Sequence, residues 1–556
     1  MAKSGAMRLG NIIRRLSTAP DLQPKCDLYP KEYFGPSQQQ IDKLRSEHIP
    51  PVSKDYYKKP LLISQGHMQW LFDHEGKRYL DLFAGIVTVS VGHCHPRVNA
   101  ALHQQIDTLW HTTSIYRHPK LYEYIVKLTA TLPNHLNVVY LVNSGSEAND
   151  LAALLARGFS GNHDIISLQC SYHGYSSALM GLTATQSYRY PLPVPAGYYH
   201  TMLPDPYRGI WGGCRDSISQ VPGACSCPGD CVTSDKYIHQ LSELLENSIP
   251  KGRVAGLFAE SIQGVNGAVQ FPKGYLKKAK DLIKKYGGVY IADEVQSGFG
   301  RTGDTYWGFE GHGVTPDIVT MAKGIGNGFP MAAVVTTKEI AAAHNKAAYF
   351  NTFGGNPLAA TVGKAVLEVI EEEKLQENCK VVGKYFIEQL MELQKVYPMI
   401  GDIRGKGLML GLELVRPGTK EPLASELVAN VLENAKDLGV LLGRGGRWAN
   451  VIRIKPPMCV NSKDIDFAIS VMNEALKTVS QNIQRSYTYY RSASGPSERV
   501  RNFGKIKCNI QTRNCLINVS SLVWYVDSTW QIMTSLIVNT ELCRLGDKRH
   551  KGVNEA

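Results

Sequence analysis

Short apolar runs alternate with stretches of helical periodicity from about Pro51 onward, and this alternation predicts an α/β fold. Five of the apolar runs have the length and composition of buried parallel strands. They are Val138–Val142, Asp164–Leu168, Val254–Ala259, Val289–Ala292 and Ile318–Ala322. Each run ends where polar residues of unusual character begin. Because ligands of open α/β sheets gather at the carboxyl ends of the strands, we expect one site at that edge.

A second, smaller region of helices and strands follows. The segments Leu358–Glu373 and Asn378–Leu393 have helical periodicity, and Gly407–Leu414 and Asn450–Ile454 resemble strands. The chain is long enough for two or three domains. We therefore predict an N-terminal segment (26–95), a large mostly parallel-sheet domain (96–355) and a smaller C-terminal α/β domain (356–484).

The two ends of the chain differ from this body. Residues 1–20 contain Lys3, Arg8, Arg14 and Arg15 and no acid. Leu9, Ile12, Ile13 and Leu16 would share one face of a helix. An amphipathic, arginine-rich, acid-free start is typical of a mitochondrial transit peptide, which we assign to residues 1–25, with the matrix as destination. A disordered basic tail is the alternative.

The tail at residues 485–556 is basic and irregular. Its apolar run Leu516–Leu542 has Asp527 near the middle, and a charge at a bilayer centre is costly, so a tail without catalytic role is favoured over a membrane span. The tail has eleven Lys and Arg against five acids, a net charge of +6, and residues 1–25 have five against one, a net charge of +4. Of the total net charge of +12, only +2 therefore remains for residues 26–484. A nucleic-acid-binding body is therefore not indicated.

Twelve cysteines are scattered without a regular framework, as in proteins of reducing compartments. Cys225, Cys227 and Cys231, with Cys214 upstream, come close to zinc-ligand spacing. The spacing is irregular, and a Pro-Gly pair at 222–223 indicates a surface insertion. We leave zinc open and assign no metal to the site.

Lys323 is the strongest candidate for chemistry. It follows the apolar run Ile318–Ala322 and precedes Gly324, Gly326 and Gly328, which permit close approach of a ligand. A desolvated lysine with a lowered pKa is a nucleophile for an aldehyde. The glycines do not have the spacing of a dinucleotide-binding loop.

Two further residues suggest what the lysine acts on. Asp293, at the end of a buried run, needs a partner such as a protonated pyridine nitrogen, and Gln296 could reach a phenolic oxygen on the same ring. A metal-binding or nucleotide-binding acid is the alternative, but the chain has no P-loop. Arg453, within a short apolar strand, could bind a substrate carboxylate or form a structural salt bridge.

The remaining candidates could bind a phosphate and a ring. Gly145 and Ser146 lie in a small-residue loop that enters a helix, where backbone N–H groups and the helix dipole attract anions. Good N-capping chemistry is the alternative. Tyr172 could stack on a heteroaromatic ring or belong to the core. Thr352 offers a hydroxyl in a second glycine-containing loop before a helix.

Taken together, these motifs resemble those of the class III (ω-type) aminotransferases, which depend on pyridoxal 5′-phosphate (PLP). The resemblance covers roughly residues 59–484 and is strongest to the alanine–glyoxylate branch. It is carried by the segments Ser144–Asn149, Tyr172–Gly174, Asp293–Gln296, Met321–Met331 and Asn351–Pro357, with GIVTVSVGHCHP at 85–96 and ESIQGVNG at 260–267.

The resemblance implies PLP-transferase fold type I and a homodimer or homotetramer with active sites between subunits. Lys323 would be the Schiff-base lysine and proton shuttle, and Asp293 would pair with the pyridine nitrogen. The resemblance also implies that Tyr172 would stack on the ring and that Gln296 would contact its phenolic oxygen. Gly145 and Ser146 would bind the phosphate together with Thr352 of a second subunit. Arg453 would bind the substrate carboxylate.

The implied reaction moves an amino group from alanine or related amino acids, including β-amino acids, to glyoxylate or pyruvate. Relatives of the ornithine and GABA type tend to have a Glu where this chain has Val265, so that nothing would mask Arg453 here. A phospho-lyase acting on a phosphorylated amine and an inactive binding homologue are the alternatives. We expect small amino and oxo acids as ligands, without nucleic-acid or membrane partners.

Overall fold

The computed structural model describes residues 23–52, 55–191, 193–345, 348–493, 508–512 and 515–519. Residues 1–22 of the predicted transit peptide and most of the apolar run Leu516–Leu542 therefore lie outside the described residues. The chain divides into two units, residues 1–480 and 481–556. Within the described part, no helix has the length and apolar character needed to cross a membrane.

Seventeen strands are formed by the described residues. Those of the first half are β1 (Ile63–His67), β2 (Trp70–Asp73), β3 (Arg78–Asp81), β4 (Val138–Val142), β5 (Asp164–Leu168), β6 (Tyr198–Thr201), β7 (Val254–Glu260) and β8 (Val289–Asp293). Those of the second half are β9 (Ile318–Met321), β10 (Ala332–Thr336), β11 (Ile400–Lys406), β12 (Met409–Leu414), β13 (Val440–Leu441), β14 (Gly443–Gly445), β15 (Val451–Ile454), β16 (Cys508–Thr512) and β17 (Cys515–Val519).

The α-helices longer than one turn are α1 (Gln38–His48), α2 (Pro96–Ile106), α3 (Pro119–Thr129), α4 (Gly145–Ser160), α5 (Val232–Asn247), α6 (Tyr275–Lys285), α7 (Lys338–Ala343), α8 (Pro357–Glu372), α9 (Leu375–Val396), α10 (Ser425–Asp437) and α11 (Ser462–Ala493). Short turns lie at Ala84–Val87, Gln186–Tyr188, Gly308–His312 and Lys323–Gly326.

A seven-stranded sheet in the order β4-β10-β9-β8-β7-β5-β6 forms the centre of the first unit. All five predicted strands are present, within one residue at their ends. The prediction that Val138–Val142 pairs as a parallel strand is wrong. It pairs antiparallel with β10, a strand that the sequence analysis missed. Because β10 also runs antiparallel to β9, β4 points in the same direction as β9 and the strands parallel to it.

Helix α4 shows how the sequence builds the layer against this sheet. Ala148, Leu151, Ala152 and Leu155 recur at the spacing of one helix face, and all four are buried. That face packs across strands β7 to β10. The helix ends at Gly161, which adopts a φ of 70° that residues with a side chain rarely adopt.

The C-terminal region contains the four-stranded antiparallel sheet β11-β12-β15-β14, against which α9 packs. Strands β1 to β3 form a separate antiparallel sheet that β13 extends in parallel. Segments far apart in sequence are thereby joined. The second unit, described by itself, contains the end of α11 and the hairpin β16–β17. The boundaries proposed at residues 25, 95, 355 and 484 stay predictions.

Candidate active site

The carboxyl edge of the large sheet brings the predicted lysine into a strained turn. Lys323 lies two residues after the last residue of β9, begins the turn Lys323–Gly326 and has a φ of 51°. A left-handed backbone is unfavourable for a lysine and persists only where its surroundings enforce it. Ser90 Oγ donates to the carbonyl of Gly324 at 2.7 Å, and Asn327 Oδ1 accepts from the N–H of Val91 at 2.9 Å.

The amine of Lys323 is available for chemistry. Lys323 is partly buried, and its Nζ has no hydrogen-bond partner among the described residues. Burial lowers the pKa of Lys323, and the nearby charge of Arg453 acts in the same direction, against the opposing charges of Asp293 and Glu260. A lowered pKa increases the neutral, nucleophilic fraction of the amine.

Asp293 lies at the carboxyl end of β8 and is almost fully buried. Its Oδ2 accepts hydrogen bonds from Asn149 Nδ2 at 2.9 Å and from His173 Nδ1 at 2.8 Å, and its Oδ1 accepts from the N–H of Val295 at 3.1 Å. Burial disfavours the charged carboxylate, but these hydrogen bonds outweigh it and hold the pKa of Asp293 below its ordinary value. Asp293 is therefore a buried anion at neutral pH.

Two of the residues that hold Asp293 had no role assigned from the sequence. Asn149 and His173 were noted only as members of their motifs. Asn149 Nδ2 also donates to the carbonyl of His173 at 2.7 Å, which ties the two motifs together. His173 Nε2 is buried without a hydrogen-bond partner in the described chain. Both motifs follow strands that end at the same edge of the sheet as β8, and this was the signal that could have paired them with Asp293.

The amino end of α4 forms a close-fitting cradle next to Lys323 and Asp293. A Cβ added to Gly145 would lie 3.3 Å from Val295 Cγ1 and 3.6 Å from Ala322 Cβ, so the bare backbone fits there with little room to spare. Ser144 caps the helix by accepting from the N–H of Glu147 at 3.2 Å. Ser146 Oγ accepts from the N–H of Tyr175 at 3.1 Å.

Tyr172 and Thr352 differ in how far the structure brings them to this site. The partly buried Tyr172 packs its ring edge-on against Tyr188, with 4.9 Å between ring centroids. Burial raises the pKa of Tyr172, and the charges of Tyr188 and then Asp293 raise it further. Thr352 is exposed in this single chain. Its loop reaches the cradle through Asn351, whose Oδ1 accepts from Asn143 Nδ2 at 3.0 Å.

Arg453 lies on β15 with a buried guanidinium whose charge is not neutralised by an ion pair in the described chain. Its Nε has no hydrogen-bond partner there, and the guanidinium carbon lies 5.3 Å from the ring of Phe83. Burial lowers the pKa of Arg453. The described residues therefore do not form the structural salt bridge that was the alternative for this residue. A buried arginine without a counter-ion is suited to binding a carboxylate.

A second buried lysine, Lys455, was missed by the sequence analysis. Its Nζ donates to Gln296 Oε1 at 2.8 Å and to the carbonyl of Gly264 at 3.2 Å. Gln296 Oε1 also accepts from Arg453 at 3.4 Å. Burial, with the charge of Arg453, lowers the pKa of Lys455 well below its ordinary value. Residues two apart on a strand share a face, so the position of Lys455 relative to Arg453 could have identified it.

The chain's match to a protein family follows from its sequence as a whole. The model of the class-III aminotransferase family matches residues 52–476. The chain belongs to this family. A human relative named mitochondrial alanine–glyoxylate aminotransferase 2 is 52% identical over 466 residues, which cover 83% of this chain and 90% of the relative. A mitochondrial homologue from Arabidopsis thaliana is 45% identical and covers 80% of this chain and 89% of its own length.

Solved structures of other class-III aminotransferase relatives have the same fold. An ω-transaminase from Thermomicrobium roseum matches with a TM-score of 0.72 and 28% identity, over 80% of this chain and all of the other. A phospholyase from Arthrobacter, in complex with phosphoethanolamine, matches with a TM-score of 0.70 and 30% identity, over 79% and 99% of the two chains. The predicted family and fold class are confirmed.

This class-III aminotransferase is PLP-dependent, as its family is, and acts on amino and oxo acids. The residues present fit the cofactor. The buried Asp293 anion has hydrogen bonds from three donors and suits a protonated pyridine nitrogen, and the amino end of α4 suits a phosphate. Among the predicted residues, Thr352 is the one that this single chain leaves exposed.

Proposed function

We propose that this chain is an alanine–glyoxylate aminotransferase, which transfers the amino group of alanine or a related amino acid, including β-amino acids, to glyoxylate or pyruvate. The observation that carries the proposal is the buried guanidinium of Arg453, which has no carboxylate partner in the described chain. Both alanine and glyoxylate carry a carboxylate next to the reacting carbon. The 52% identity to the human relative supports the same substrates.

When bound, PLP supplies an aldehyde for amines and a ring that delocalises the electron pair left on the substrate α-carbon. Asp293 keeps the proton on the ring nitrogen, because its carboxylate is ionised and buried. Lys323 Nζ would hold the cofactor through its aldehyde, and once the substrate amine takes its place the free amine would carry the proton of the substrate α-carbon. The lowered pKa of Lys323 favours this role as a base.

The other predicted residues hold the cofactor and substrate in place. Backbone N–H groups of Gly145 and Ser146 bind the phosphate at the positive end of α4. Tyr172 stacks on the ring. Gln296 donates from its amide to the phenolic oxygen, and Lys455 fixes the amide by donating to its Oε1.

Arg453 anchors the α-carboxylate in both half-reactions. The backbone around it leaves room for its stem, because a Cβ at Gly445 would lie 2.4 Å from Arg453 Cδ and 2.7 Å from the carbonyl oxygen of Val265. Val265 is therefore a neighbour of Arg453, and its apolar side chain cannot act as a counter-ion.

The proposed assembly is a homodimer or a homotetramer in which Thr352 of a second subunit completes the phosphate site. The exposure of Thr352 in the single chain, next to the Asn351–Asn143 contact, supports this arrangement. The relatives named mitochondrial support a mitochondrial location, for which we propose the matrix.

The second candidate reaction is elimination of phosphate from a phosphorylated amine, which the similarity to the phosphoethanolamine-bound Arthrobacter phospholyase favours. Arg453 could bind a phosphate, and Lys455 could join it when its amine is protonated. An inactive binding homologue is a weaker alternative, because Lys323 and Asp293 are both present and positioned.

A panel of amino donors against oxo-acid acceptors, read by product mass, tests the proposal. We expect glycine from glyoxylate with alanine as donor, and no ammonia from phosphoethanolamine. Arg453→Lys retains the charge but not the bidentate fork, so it should raise the KM for alanine less than Arg453→Ala does. Ammonia and phosphate release from phosphoethanolamine, without transfer from alanine, would contradict the assignment.

A further inference from the structure

The connection between β6 and α5 holds four cysteines that the catalytic site does not use. Residues 202–231 are described throughout and contain no helix or strand. Connections of this length inside a compact domain are uncommon unless something else orders them. Cys214, Cys225, Cys227 and Cys231 lie on this connection, and they raise the question of what fixes its path.

The four thiols converge on one point. Their Sγ atoms all lie within 4.8 Å of one another, and the Sγ atoms of Cys225 and Cys231 are 3.2 Å apart. In a tetrahedral site with four thiolates, sulfurs about 2.3 Å from zinc lie roughly 3.8 Å from each other. The limit of 4.8 Å on the sulfur–sulfur distances exceeds that tetrahedral distance by only about 1 Å. The cysteines are irregularly spaced in the sequence, which argued against zinc, but the fold of the connection brings them together.

We propose that Cys214, Cys225, Cys227 and Cys231 bind a single structural zinc ion. Four protein ligands leave no open position, so the ion has no place in the transamination chemistry. The mutual closeness of all four sulfurs fits one ion better than two disulfides, since disulfide sulfurs would pair at about 2.05 Å.

Contacts around the sulfurs match those that surround metal ligands. The N–H of Cys214 donates to Cys231 Sγ at 3.2 Å, and the Thr233 hydroxyl lies 3.2 Å from the same sulfur. Lys273 makes hydrogen bonds to three of the four cysteines. Its N–H donates to the Cys214 carbonyl at 3.2 Å, its carbonyl accepts from the N–H of Cys231 at 2.8 Å, and its amine donates to the Cys227 carbonyl. That amine also offsets part of the negative charge of a four-thiolate zinc site.

The ion would anchor the connection at one side while a buried ion pair anchors it at the other. Arg215, next to Cys214, donates to both oxygens of Asp402 on β11, at 3.0 Å and 2.8 Å. Ser219 Oγ donates to the carbonyl of Ile403 at 2.7 Å. Zinc would therefore fix the parts of the connection that flank these contacts and so help to hold it against the C-terminal sheet. Its role would be to stabilise the fold rather than to take part in the reaction.

Metal analysis of the PLP-loaded full chain, purified without chelators or metal-affinity columns, tests the proposal. We expect about one zinc per chain in the natural protein. Cys225→Ser and Cys227→Ser should each lose most of it, and Cys26→Ser, a cysteine outside the cluster, should retain it. Absence of zinc from the natural protein, iron in its place, or full retention in both cluster variants would overturn the assignment.

A second measurement on the natural protein keeps the test decisive if the variants fail to fold. The four cysteines should resist alkylation in the native protein and become modified after a strong chelator removes the metal, as read by peptide mass. Cys26 should be modified before and after. Equal modification before and after chelation, or a disulfide within the cluster, would contradict a zinc site.

Discussion

The Nδ1 of His173 donates to the buried Oδ2 of Asp293 at 2.8 Å, and this contact helps keep the carboxylate ionised. Two segments that are distant in sequence, one after β5 and one at the end of β8, are joined by it. We therefore expect His173 to be a positioning residue that acts on the cofactor through Asp293.

Replacing His173 by Leu should weaken PLP binding. A hydrogen bond to a charged group contributes about 1.5–3 kcal/mol, so we expect roughly a 10- to 100-fold rise in the dissociation constant of PLP. Titration of the cofactor-free protein, followed by absorbance, measures it. His173→Asn places an N–H donor near the position of Nδ1 and should recover much of the affinity. Equal affinities for the natural protein and the Leu variant would exclude this role.

Replacing Val265 by Glu should mask Arg453. The backbone carbonyl of Val265 lies near the stem of Arg453. A carboxylate introduced at this position would compete with the carboxylate of the substrate. We expect kcat/KM for alanine to fall roughly tenfold or more, mainly through KM. Val265→Gln has the same shape without the charge and should fall much less. Identical kinetics for the Glu and Gln variants would show that charge at this position is irrelevant.

Glu260 should make the stability of the protein depend on pH. Burial, with the charge of Asp293, raises the pKa of Glu260 to about 7, from 4.5 in an ordinary environment. The folded state thus holds the proton more tightly than the unfolded chain. The resulting stabilisation is present below about pH 4.5 and is lost as the pH rises through about 7, and it amounts to about 3 kcal/mol at most.

Glu260→Gln removes this dependence and retains an acceptor for the N–H of Gly264, which donates to Glu260 Oε2 at 2.8 Å. Thermal midpoints of the two PLP-loaded proteins, measured from about pH 5 to about pH 8, should therefore diverge. The natural protein should lose stability relative to the Gln variant as the pH rises. Parallel curves would show that Glu260 does not titrate in this range.

The sequence predicted the elements that are strongly patterned and the site residues that end them. Strand β8 is a continuous apolar run, and Asp293 stands where it ends, so both the strand and its buried acid could be identified. Lys323 was found in the same way, although its φ of 51° was not foreseen. Arg453 was identified as a charge within an apolar strand, but only the positions of its described neighbours show that none of them forms an ion pair with it.

What the sequence left out depends on pairing between distant segments. Strand β10 (Ala332–Thr336) is a short apolar run after a glycine-rich loop, and nothing local determines that it enters the sheet antiparallel, next to β4. Residues with small local signals, such as Asn149 and Lys455, acquire their roles from partners far along the chain. The convergence of Cys214 with Cys231 likewise comes from tertiary structure rather than spacing.

The central claim is that Lys323 carries the cofactor, and borohydride reduction of the native PLP-loaded protein tests it most directly. Reduction converts the carbon–nitrogen link between lysine and cofactor into a stable bond, and peptide mass mapping then identifies the modified residue. We predict a pyridoxyl group on Lys323 and its absence from the Lys323→Ala variant. A pyridoxyl group on Lys455, the other buried lysine of the site, or on no lysine at all would contradict the account.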